Sequence, residues 1–137
     1  MQNKGLIKDY VIRSQKRMLA LAVLLREESW ADVVREAQEV VELILKALLR
    51  SCSIEAPRTH DVSGILAEEK ARLPSRIQKD LAKIIDISKE LRRDRELAFY
   101  GSEDLTPSEF YSAKDGKKAY ENADWLVKVV GSVIKIK

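Results

Sequence analysis

Residues 29–51 read SWADVVREAQEVVELILKALLRS, and this stretch decides the fold. At helical period Val33, Val34, Ala37, Val40, Val41, Ile44, Leu45 and Leu48 fall on one broad apolar face. Leu43, Ala47 and Leu49 widen that face until only a polar strip remains, so the helix must meet neighbours on several sides. The strip is ordered, with Arg35 and Glu39, then Glu42 and Lys46, four residues apart and opposite in charge. Ser29 stands three residues before Asp32, which reads as an N-cap with an acidic N3. Such a segment is the central helix of a bundle.

Working outward, Ile7, Tyr10, Val11, Ser14, Met18, Leu21 and Leu25 predict an amphipathic helix over 5–27. Lys8, Arg13, Lys16 and Arg17 line its other side, which is either solvated or turned to a phosphate. The break before residue 30 is short, so the helix over 30–51 folds back antiparallel. On the far side, SCSIEAPRTHDVSGIL is a loop broken by Pro57, and Thr59 or Asp61 caps a short helix over 61–71. Ser75 and Gln78 read as a capping box opening a long helix over 75–100. Ile77, Leu81, Ile84, Ser88, Leu91, Arg95 and Ala98 alternate at spacings of four and three along it, and Gly101 suits its C′ position. Thr106, Pro107 and Glu109 give a strong local helix start. Ser112 with Asp115 opens the last helix, over 112–135, whose face is Gly116, Ala119, Tyr120, Ala123, Leu126, Val127, Val130 and Ile134. No β-period alternation appears. Residues 1–137 are therefore expected to form a single all-α domain, an up-and-down antiparallel bundle of four main helices plus one short helix.

The 45% hydrophobic and 6% aromatic content fits such a bundle built on Leu, Val, Ile and Ala. A net charge of +3 permits a phosphate partner without demanding one. One cysteine, Cys52, excludes an intrachain disulfide and a cysteine metal cluster, and one histidine, His60, leaves no His-rich zinc site. No cofactor is expected. There is no apolar run of the roughly 20 residues that a membrane-spanning helix needs. The N-terminus lacks a signal-peptide core, so a cytoplasmic protein without membrane contact is expected. Gly-rich phosphate loops, HExxH and a nucleophile elbow are absent, so no common enzyme class is supported.

The informative anomaly is KELRRDRELAFYG, where Arg92, Arg93 and Arg95 crowd one turn ahead of Phe99 and Tyr100. Arg95 sits on an otherwise apolar seam and must find a carboxylate, a phosphate or carbonyls. It is either half of a structural ion pair, with Glu39, Glu42 or Glu96, or an anion-binding group at a groove or dimer interface. The helix dipole also favours arginines near a helix C-terminus. Ile84, Ile85 and Ile87 point three ways, an arc wider than one core needs, and this predicts a homodimer.

At this point the chain resembles the HEPN domain family. The residues that carry the resemblance are AQEVVELILKALL with Gln38, Glu42 and Lys46, then THDVSGIL, then ELRRDRELAFYG followed by a loop and a final amphipathic helix, over about residues 8–134. The resemblance implies a dimerising helical bundle among metal-independent ribonucleases, toxins paired with a small nucleotidyltransferase, and non-catalytic nucleotide or RNA binders. Ribonuclease members carry Arg, four to six residues, then His. Here Arg93 is followed at that spacing by Ala98, with Tyr100 beyond, and alanine cannot move a proton near neutral pH. No catalytic residue is therefore assigned. Arg92, Arg93, Arg95 and Tyr100 are the expected nucleotide- or RNA-phosphate-binding residues, beside a nucleotidyltransferase partner. A metal-independent ribonuclease using Arg93 and Tyr100, or a purely structural dimerisation module, are the alternatives.

Overall fold

In the computed structural model, residues 3–55, 62–102 and 106–134 are described, the side chains of 94–99 excepted. All regular structure among them is helical: α1 (Lys4–Arg26), α2 (Trp30–Ser51), α3 (Val62–Glu68), a 3-10 turn (Lys70–Arg72), α4 (Ser75–Lys79), α5 (Leu81–Tyr100), α6 (Pro107–Phe110) and α7 (Ala113–Val133). The bundle expected from the periodicity is present, with α1, α2, α5 and α7 as its long members.

Helix α2 lies at the centre, packed most extensively on α1, then on α7 and α5. Val33, Ala37, Val40, Ile44, Leu45, Ala47, Leu48 and Leu49 are fully buried, because the wide apolar arc has a partner on each side. Burial of each of the larger side chains contributes about 1.5–3 kcal/mol. Leu21 from α1, Ile84 from α5 and Leu126 from α7 complete the core. Arg17 on α1 donates to Glu36 on α2, which ties the first hairpin, and Arg13 pairs with Asp9 at 3.6 Å. Two members of the basic face of α1 thus have carboxylate partners.

The helix ends are made in ways only partly visible in the sequence. α1 closes with Glu28 at φ 59°, the Ser29 N–H donating to Leu24 O and the Glu28 N–H to Leu25 O. α2 closes identically, with Ser53 at φ 58°, Ile54 N–H to Leu49 O and Ser53 N–H to Arg50 O. Both are Schellman caps carried by residues other than glycine. Arg72 reinforces the second by donating to the carbonyls of Ser53 (2.8 Å) and Cys52 (3.3 Å). Gly101 follows α5 at φ 79°, as its position suggested.

Four expectations need correction. The helix over 75–100 is two helices, because Asp80 leaves helical geometry with its N–H bonded to Ile77 O while Arg76 holds its carboxylate at 3.2 Å. Ser75 and Gln78 do not form a capping box; Gln78 Nε2 donates to Leu73 O at 2.8 Å, and Pro74 is the N-cap. The Ser29 hydroxyl donates to the Asp32 carboxylate at 2.6 Å and does not cap a backbone N–H. Finally, Ile84 and Ile87 are buried and Ile85 packs against the same core. The isoleucine arc is consumed within one chain, so it gives no reason for a dimer. The start signals further on are as read: Thr106 Oγ1 accepts from the Glu109 N–H (3.3 Å), and the Asp115 carboxylate accepts from the Ser112 N–H (2.9 Å).

The approach of α7 to α2 depends on one glycine. A Cβ on Gly116 would lie 2.6 Å from Trp30 Cε3 and 3.4 Å from Trp30 Cα, so the first turn of α7 sits directly on the first residue of α2.

Candidate phosphate-binding face and the adjoining cleft

Helix α5 carries every residue of the arginine cluster. Successive positions on an α-helix are about 100° apart, and positions seven apart return to nearly the same face. Arg93 and Tyr100 therefore share one face of α5, while Arg92 is turned about 100° from it. Arg92 and Arg93 are exposed, and Tyr100 is 74% exposed at the end of the helix. The side chains of Arg95, Glu96 and Ala98 lie outside the described residues, as does His60. Among the candidate partners of Arg95, Glu42 is buried on α2, its Oε1 3.1 Å from Lys46 Nζ and its Oε2 accepting from Gln38 Nε2 at 3.4 Å.

The register of α5 against α7 is antiparallel. Lys118 Nζ lies 3.2 Å from Glu90 Oε1, and Lys83 Nζ stands 3.9 Å from the centre of the Trp125 ring. As α5 runs from Glu90 towards Arg93, α7 is therefore met at progressively earlier residues, towards Lys114 and its first turn. Between these helices and α2 lies a cleft of about 290 Å³. Buried Val34, Leu91, Ala119 and Tyr111 line it, and Lys114, Lys118 and Asn122 reach it from α7. Two of its acidic neighbours have other roles: Asp115 caps α7 and Glu90 holds Lys118. None of Lys114, Lys118 and Asn122 belongs to the apolar face read for the last helix, and the sequence singled out none of them. Their link to α5 is a tertiary fact, and the only local hint was the spacing of the two lysines.

At the far end of α2, Cys52 is half-buried. Burial pushes its thiol pKa up, against smaller downward effects of the Ser51 hydroxyl and the Arg72 charge. A raised pKa leaves little thiolate near neutrality, which fits a structural thiol.

With no strand among the described residues and α2 at the centre of α1, α5 and α7, the chain is an all-α helical bundle. The HEPN domain model matches residues 7–135. The chain belongs to the HEPN domain family, which makes it a helical domain of the nucleotide- and RNA-related kind. No curated protein and no solved structure gives a significant match. No helix among the described residues is long and apolar enough to cross a membrane.

Proposed function

We propose that this chain is a non-catalytic HEPN domain that binds the phosphate of a nucleotide or RNA along the C-terminal half of α5. Arg93 and Tyr100 form the centre of that face, and Arg92 and Arg95 are further candidate phosphate-binding residues close by in the sequence. The observation that carries the reading is the pairing of exposed arginines with Ala98, which offers nothing to exchange a proton at the place where ribonuclease members have histidine. A guanidinium needs no proton transfer to hold a phosphate and can engage it with two parallel N–H donors.

In this reading the domain works in the cytoplasm beside a nucleotidyltransferase-type partner and associates as a homodimer. The surface for a second copy is the outer face of α1, where Ile12, Leu19 (71% exposed) and Val23 lie opposite the core.

The test is fluorescence anisotropy of a short labelled RNA across a salt series, with native protein and Arg93→Ala. Phosphate-dominated binding weakens steeply as salt rises, and Arg93→Ala reduces it with the melting temperature nearly unchanged. Metal-independent cleavage of the RNA by native protein, abolished in Arg93→Ala, would overturn this reading in favour of a ribonuclease.

A further inference from the structure

We draw no further inference here: the strongest candidate, the patch of exposed Ile12, Leu19 and Val23 beside Lys8, Lys16 and Arg26 on the outer face of α1, belongs to the second-copy surface already proposed, and nothing in the structure shows what else would cover it.

Discussion

Gly116→Ala is the substitution on which two physical effects oppose each other most openly. Gly116 is helical, in the opening turns of α7, and replacing a helical glycine by alanine ordinarily gains about 0.5–1 kcal/mol. The new Cβ, however, would stand 2.6 Å from Trp30 Cε3, 3.3 Å from Trp30 Cδ2 and 3.4 Å from Trp30 Cα. Trp30 Cα at 3.4 Å is in ordinary contact, so the clash falls on the fused indole ring, which is packed against the core. Relief requires the ring to shift against the core or α7 to lift from α2, and overpacking of this kind costs about 1–3 kcal/mol. We expect the clash to win, with a net loss of about 2 kcal/mol and a melting temperature lower by roughly 8 °C for a chain of this length. Thermal unfolding of four proteins resolves the terms: native, Gly116→Ala, Trp30→Ala and the double variant. In the Trp30→Ala background the clash is gone, so Gly116→Ala should raise stability, giving a coupling of about 2–3 kcal/mol. A higher melting temperature for Gly116→Ala alone, or strictly additive effects, would refute the packing argument.

Two further outcomes follow from buried groups. Lys46→Met removes the cation beside the buried Glu42 carboxylate and should lower stability by about 1–2 kcal/mol, discounted because Lys46 is partly exposed. Glu42→Gln in the same background should recover most of that loss, and a urea midpoint untouched by Lys46→Met would contradict it. Cys52 should react with iodoacetamide at pH 8 more slowly than an unstructured cysteine, and speed up in denaturant, because its folded pKa is raised. The sign for stability follows: the thiol's contribution is fully present below its ordinary pKa and is lost as pH rises through the higher folded value. Alkylation at the rate of a free thiol would show that the burial is not sustained.

What could be read from the sequence was whatever a single helix expresses in its own period. The arc of α2 is wide because three neighbours cover it, and that width is written in Val33 through Leu49. Thr106 and Asp115 cap by contacts three residues away, so their signals are local and were legible. Glu28 and Ser53 were not, since left-handed geometry at a residue other than glycine is imposed by the Schellman bonds around it. Asp80 was missed for a related reason. Aspartate has only a weak penalty inside a helix, and its role as a break depends on the contact of its carboxylate with the Arg76 guanidinium and the shift to an i→i+3 bond at Ile77.

The candidate site shows the same division more sharply. In sequence Arg92, Arg93, Arg95 and Tyr100 are a cluster, and charge density drew attention to them. On a helix, adjacency separates side chains, whereas a spacing of seven brings them together, so Arg93 and Tyr100 belong together and Arg92 points elsewhere. The lysines of the adjoining cleft, Lys114 and Lys118, come from another helix whose register is fixed by the Glu90 and Trp125 contacts. That placement explains why the variants must be read jointly. A phosphate held only by α5 would make Arg93→Ala decisive and substitutions on α7 inert. A phosphate held across the groove makes Lys114→Ala weaken binding as well, with an effect that is not additive to Arg93→Ala because both cations address one ligand.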